Sequence, residues 1–516
     1  MTSFPWLTVV GAIPLVGAVV VWLLPSGAAA RAKQVALGFS LVTLVAGILA
    51  TIAYAGSSTT GQFRLVEQHQ WIPQFGVSYA LGVDGIALAL ILMSLVLTPI
   101  CLLAAWRDLP AGSDGPDRRE KSYFALMLVL ETFMIGVFAA TDVFLFYVFF
   151  EAMLIPVYFL IGQYGGARRQ YAAVKFLVFS LVGGLIMLAA VIGLYTQGPG
   201  GADGFLVERL TGLNLDPTTG RLLFLGFFFA FAVKAPMVPF HTWLPDAATE
   251  APPATATLLV GVLDKVGTYG MIRFCLQLFP EASQWATPVV IALAVISVLY
   301  GALLAIGQTD VMRLIAYTSI SHFGFIVLGI FAMTSTGFAG STLYMVNHGF
   351  TTAALFLIAA MMISRRGSKR ISDFGGWQRV TPVLAGSFLV AGFSGLALPG
   401  LGAFVAEFLT LVGTFQRYPV PAVIATIGII LAALYVLLMY KRMATGPVPE
   451  SAAGTRDVGG REKWVIAPLI ALFLVLGFYP KPALDLINPA VSTTLGHMGV
   501  TDPAPVVPVN AEGSAQ

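Results

Sequence analysis

Hydropathy that returns at membrane length along the whole of this 516-residue chain limits its fold more than any other feature. A bilayer core takes about 20 apolar residues of helix. About fourteen such spans fit the chain, near 5–24, 34–54, 83–106, 121–140, 141–164, 171–195, 221–245, 253–279, 285–306, 311–333, 338–363, 380–413, 420–440 and 464–480. Soluble domains are about 25% charged, whereas this chain is 10% charged. The expected fold is an all-α polytopic membrane protein with a single membrane domain over 1–516. The N-terminal MTSFPWLTVVGAIP has no basic stretch before its apolar run, so it reads as a retained helix rather than a cleaved signal peptide. The Pro- and Ala-rich tail, 501–516, reads as disordered.

Lysine and arginine accumulate on the inner side of a membrane. Loops after the odd-numbered spans hold about 19 of the 28, and the opposite side holds about six, Arg273 among them. That excess places both termini outside and requires an even number of crossings. Fourteen satisfies it.

Two spans are interrupted. KAPMVPFHTWLPDA (234–247) sets Pro236 and Pro239 in the seventh, and SGLALPGLG (394–402) splits the twelfth around Pro399. Proline removes a backbone donor and clashes with the preceding turn. In lipid such breaks survive only where protein or water satisfies the freed groups. Broken helices of opposite direction, five spans apart, mark inverted repeats in transporters. Residues 121–279 and 285–440 are therefore expected to form two inverted five-helix repeats.

Glu151, Lys234, Lys265 and Glu407 stand near span midpoints, about 12–20 Å from the span ends at 1.5 Å per residue. Snorkelling side chains or local ion pairs are the bland alternative. Each mid-span charge costs about 2.5–3.5 kcal/mol, so four amount to roughly 10 kcal/mol, a penalty kept for ion and proton paths rather than scaffolding. Asp264 adjoins Lys265, but successive helical positions point about 100° apart, so its role stays open. Glu131, in LMLVLETFMIG, equally fits a partner for a neighbouring helix. His322 (TSISHFGF) and His348 (YMVNHGF) fit a proton relay, because imidazole changes charge near neutral pH. Tyr317, Thr318, Ser321, Ser341 and Thr351 are their hydroxyl neighbours. His241, nearer the inner surface, fits relay or packing.

Cys101 and Cys275 lie far apart in apolar runs and suggest neither a disulfide framework nor a metal site. The run GFSGLALPGLG (392–402) lacks the ending of a phosphate-binding loop. A net charge of +3 gives no reason to expect a nucleic-acid surface. The chain itself is expected to hold no redox centre, cofactor or metal.

In order, FYVFFEAMLIPVYFLIGQYGG, KAPMVPFHTWLPDA, LDKVGTYGMIRF, DVMRLIAYTSISHFGF and LPGLGAFVAEFLTLVGTF resemble the antiporter-like membrane subunits of respiratory complex I, the NADH–quinone oxidoreductase. The resemblance covers roughly 85–500. It implies that Glu151 and Lys234 are the ion pair of a first half-channel, Lys265 a central relay and Glu407 the terminal group of a second. His322 and His348 would lie between them. It also implies proton pumping driven by quinone reduction in partner subunits, which would bind NADH, FMN, iron–sulfur clusters and quinone. The chain would act enzymatically only as a subunit of that translocase. Sister subunits L and N would be neighbours, in a bacterial inner membrane. Two features separate the chain from those sisters: Glu407 stands where they typically carry lysine, and subunit L's long lateral helix is missing. One position departs from the family, which often reads HTWLPDAH; here Ala248 takes the last place. The rival readings are a cation/proton antiporter subunit of a related assembly and a helical scaffold without ion passage.

Overall fold

The computed structural model describes residues 4–25, 27–57, 61–107 and 116–504. Helices α1 (Trp6–Leu23) and α2 (Ala29–Ala55) lead into strands β1 (Arg64–Ile72) and β2 (Val77–Val83). Then come α3 (Gly85–Ala104), α4 (Pro116–Ala139), α5 (Val143–Tyr164), α6 (Arg169–Gln197), α7 (Pro217–Lys234) and the short α8 (Trp243–Glu250). The interrupted α9 covers 253–278 and is followed by α10 (Pro280–Ile306), α11 (Val311–Phe331) and α12 (Ser335–Arg366). Last are α13 (Pro382–Gly395), α14 (Gly402–Arg417), α15 (Pro419–Ala444), α16 (Gly460–Phe478) and α17 (Lys481–His497).

Among the described residues, ten helices are long and apolar enough to cross a membrane, and α16 with α17, bent by 69°, makes an eleventh. Three expected spans are not single helices. The seventh stops at Lys234, the eighth changes helix type twice, and the twelfth is two short helices. The last expected span, 464–480, is also extended by α17. Hydropathy missed that helix because it is amphipathic: it buries Ile487, Ala490, Val491, Thr494 and Leu495, a stripe at helical spacing. Of the tail expected to be disordered, 505–516 lies outside the described residues.

The all-α expectation needs a correction. β1 and β2 pair antiparallel, turning at Gly76, whose φ of 69° suits glycine. Its apolar residues are interleaved with polar ones, so a 20-residue hydropathy window reads the hairpin as loop. Leu65 and Glu67 point inward from β1. Glu67 reaches α1, whose N-cap Pro5 offers no side-chain acceptor. Its Oε1 accepts from the Leu7 N–H at 2.6 Å and its Oε2 from the Thr8 hydroxyl at 2.5 Å. An uncapped helix end is thus satisfied from a distant strand.

Exposed Val42, Ile52, Leu185, Leu303, Val420 and Ile430 give the outer helices an apolar surface suited to lipid. Helices α9, α11 and α12 are covered almost throughout. Both breaks are stitched by side chains. Pro236 has no N–H, and Met237 N–H takes the Ala232 carbonyl at 3.0 Å instead. Trp243 Nε1 donates to the Val233 carbonyl at 2.9 Å, and Val238 N–H donates to Ser297 Oγ at 3.0 Å. At the second break, Asn347 Nδ2 donates to the Gly402 carbonyl at 3.0 Å. Gly477 lets α16 pack on this break, since a Cβ there would stand 2.2 Å from the Gly400 oxygen.

Candidate functional site

Lys234 ends α7 at the lip of the first break and is wholly buried. Its Nζ has no hydrogen-bond partner and lies over the rings of Phe150, at 5.1 Å, and Phe176, at 5.5 Å. Ring faces attract a cation but do not replace its hydration. The opposite charges acting on it are Glu151 of α5 and Asp264 of α9. Among the described residues, no ion pair within 4.0 Å joins either of them to Lys234.

Glu151 precedes a local irregularity in α5. Met153 is a turn residue, and Pro156 supplies no N–H to the Ala152 carbonyl. The carboxylate lies against Gly184 of α6, where a Cβ would come 1.7 Å from Oε1, and Oε1 has no hydrogen-bond partner. Asp264 is also fully buried, with neither oxygen hydrogen-bonded.

Helix α9 changes type around its two charges. Turns of π-helix at Leu259–Leu263 and Met271–Leu276 flank Asp264–Gly270. The Asp264 N–H reaches back five residues to the Leu259 carbonyl. Such turns re-aim side chains and are frequent at functional sites. Lys265 Nζ donates to the Val260 carbonyl at 2.7 Å and lies 2.7 Å from His348 Nδ1 on α12. An ammonium there makes Nδ1 the acceptor, which leaves a neutral imidazole's proton on Nε2. Nε2 lies 3.1 Å from Thr352 Oγ1.

The polar run continues beyond His348. Its ring centroid lies 5.2 Å from that of His322 on α11. His322 Nε2 lies 3.1 Å from the Tyr435 hydroxyl on α15. Tyr344, one turn before His348, donates to Glu407 Oε2 at 2.7 Å. Glu407 sits five residues into α14 beyond the second break and is only 5% exposed.

Sequence reasoning missed Tyr344 and Tyr435. The four-residue spacing of Tyr344 and His348 was the available signal, because it puts both on one helix face. Three of the hydroxyls expected beside the histidines are engaged elsewhere, and Ser341 Oγ is buried with no hydrogen-bond partner. Thr318 and Ser321 donate to the Ile315 and Val298 carbonyls, and Thr351 bonds Ser394. His241 packs on Tyr300 of α10, ring centroids 5.1 Å apart, and Ala248 is fully buried. Asp246 of α8 ties α6 to α11, pairing at 2.6 Å with both Lys175 and Arg313. Glu131 stands apart in the N-terminal helices, where Ser40 of α2 donates to it at 3.3 Å. Arg273, placed among the outer-side loop residues by the sequence count, is fully buried in α9 and paired with Asp84. Position near a span end hid that pairing. Among the described residues, no three His, Cys, Asp or Glu side chains gather as metal ligands would.

A family model described as the transmembrane part of NADH:quinone oxidoreductase/Mrp antiporter proteins matches residues 140–434, more than half the chain. The chain belongs to that family. The match contains every candidate residue named above except Glu131 and Tyr435. Among relatives, NADH-quinone oxidoreductase subunit M of Mycobacterium tuberculosis (strain H37Rv) is 51% identical, covering 100% of this chain and 99% of the relative. NADH-ubiquinone oxidoreductase chain 4 of Marchantia polymorpha is 34% identical, over 94% of this chain and 96% of that one. Among solved structures, a chain of respiratory complex I from Thermus thermophilus with bound NADH superimposes with a TM-score of 0.85 at 31% identity. That match covers 96% of this chain and 100% of the other. The family resemblance read from the motifs is borne out.

Proposed function

We propose that this family member translocates protons as the subunit M of an NADH–quinone oxidoreductase. Quinone reduction in partner subunits drives the movement. NADH, FMN, iron–sulfur clusters and quinone belong to those partners, with sister subunits L and N as neighbours. The complex sits in a bacterial inner membrane, with both termini of this chain outside. Counting the three interrupted segments as crossings brings the spans to fourteen, and 121–279 and 285–440 are the inverted repeats.

The observation that carries this reading is the buried run from Lys265 through His348 and His322 to Tyr435, Tyr344 and Glu407. Ammonium, imidazole, phenol and carboxylate exchange donor and acceptor roles, and intramembrane chains of such groups serve as proton relays. Glu151 and Lys234 form the first half-channel, where approach and separation across the break switch their protonation. Asp264 and His241 contribute to the charge balance there. The Mrp antiporter side of the family supports a second reading, exchange of a cation for protons, and the partners that co-purify distinguish the two.

The test is proton transport and NADH:quinone turnover in vesicles holding the whole complex with Glu407→Gln. Volume and hydrogen bonding are kept while ionisation is lost. Assembly should survive, and pumping should fall about tenfold or more, the rate equivalent of about 1.4 kcal/mol. Coupled quinone reduction should fall with it. An assembled variant pumping at the wild-type rate makes Glu407 structural and removes the proposed exit.

A further inference from the structure

Past Lys265, α9 carries a second polar file that the path above does not use. Tyr269, Arg273 and Gln277 follow Lys265 at four-residue intervals on one side of the helix, and all are buried. Each nitrogen of the Arg273 guanidinium donates one hydrogen bond. Nη2 donates to Asp84, Nη1 to Gln277 Oε1 at 3.0 Å, and Nε to the Tyr269 hydroxyl at 3.4 Å. Gln277 and Gln62 exchange hydrogen bonds of 2.9 and 3.0 Å. Asp84 and Gln62 also line an open cavity of about 490 Å³, together with Tyr54, Arg64 and Thr493. The guanidinium therefore sits one side chain behind the wall of a polar cavity. Eight residues of helix, about 12 Å, separate it from Lys265, with Tyr269 between.

Such a file offers a proton on Lys265 a short way out that bypasses Glu407. Tyrosine and glutamine can take part in proton transfer, but guanidinium keeps its protons at any accessible pH. A fixed arginine charge is also a known barrier to protons and cations in pores. Asp84 does not cancel that charge completely. It is the N-cap of α3, its Oδ1 accepts from the Ala87 N–H at 2.9 Å, and the positive end of the helix shares its charge. We infer that Arg273, held by Asp84, is an electrostatic plug that closes the direct route between Lys265 and this cavity. The inference rests on the proton-translocating reading of Lys265. On the orientation proposed above, the cavity opens on the outer side.

The experiment uses vesicles holding the whole complex and follows the decay of an imposed pH gradient without NADH or quinone. Asp84→Asn combined with Arg273→Gln removes both charges while keeping a capping side chain and hydrogen-bonding groups. The gradient should decay several-fold faster than in wild-type vesicles, and adding Lys265→Met should restore the wild-type decay. Arg273→Lys keeps the charge and should stay tight. If the double variant fails to assemble, Arg273→Gln alone gives the same reading with the cap intact. An assembled charge-free variant with wild-type decay overturns the plug, as does a leak that persists without Lys265. Failure of the functional reading itself shows separately, as normal pumping by Glu407→Gln.

Discussion

Around Lys234 the buried charges are kept apart, whereas around Lys265 they touch. The ammonium of Lys234 faces two phenylalanine rings, and the Glu151 Oε1 that rests on Gly184 has no hydrogen-bond partner. Lys265 is bonded to His348, and Glu407 to Tyr344, at 2.7 Å each. Proton transfer needs heavy atoms about 2.6–3.2 Å apart, directly or through one water. On the proposed path, the first half would therefore depend on movement or a bridging water. The second is joined by side chains over most of its length, its looser links being ring-centroid separations of 5.2 Å between the two histidines and 5.9 Å between His322 and Tyr344. Each half has its own broken helix, but only the break after Lys234 places its charge at the hinge itself.

The contrast is most severely tested at the junction. Lys265→Met removes the group that the proposed path makes common to both halves, and coupled NADH:quinone turnover in vesicles should fall about tenfold or more, matching a barrier of about 1.4 kcal/mol. Turnover within twofold of wild type would separate the halves entirely. Next in size is Gly184→Ala. The new Cβ would occupy the place of the Glu151 carboxylate, so proton transport should drop several-fold. Shortening the acid with Glu151→Asp in the same chain should recover part of it, an outcome that simple misfolding would not give. The smallest effect belongs to Tyr344→Phe, which removes a hydrogen bond to a carboxylate worth about 1.5–3 kcal/mol when charged. A two- to fivefold slowing of pumping, with normal assembly, is expected because Glu407 keeps its ionisable group and His322 keeps its contact with Tyr435. No slowing at all would mean that the short contacts of the second half are packing rather than path.

The mid-span charges were legible because lipid makes an isolated Lys, Glu or His stand out against apolar residues. The two breaks were legible because proline fixes where a helix stops. Tyr344 and Tyr435 were not, since tyrosine is common in apolar helices and its hydroxyl reveals nothing until its partner is known. The separation of Glu151 from Lys234 was equally hidden, because phenylalanine at 150 on α5, with phenylalanine at 176 and glycine at 184 on α6, sets it from two helices. Asp84 and Arg273 lie 189 positions apart, and each alone looks like a loop residue near a span end. The hairpin's two strands, RLVEQHQWI and VSYALGV, are short mixed stretches that a membrane-length window averages away.

Glu67 closes the first turn of α1 from 60 positions downstream. A chain inserted into the bilayer from its N-terminus reaches that residue only after α2 has been made. Until then the Leu7 and Thr8 amides lack the carboxylate that accepts from them in the folded chain. The hairpin works as a late clasp: biogenesis of the first two helices is complete only when β1 has folded back over them. Errors in this surface segment would therefore show as poor accumulation of the whole subunit, although no charge in the buried array had been touched.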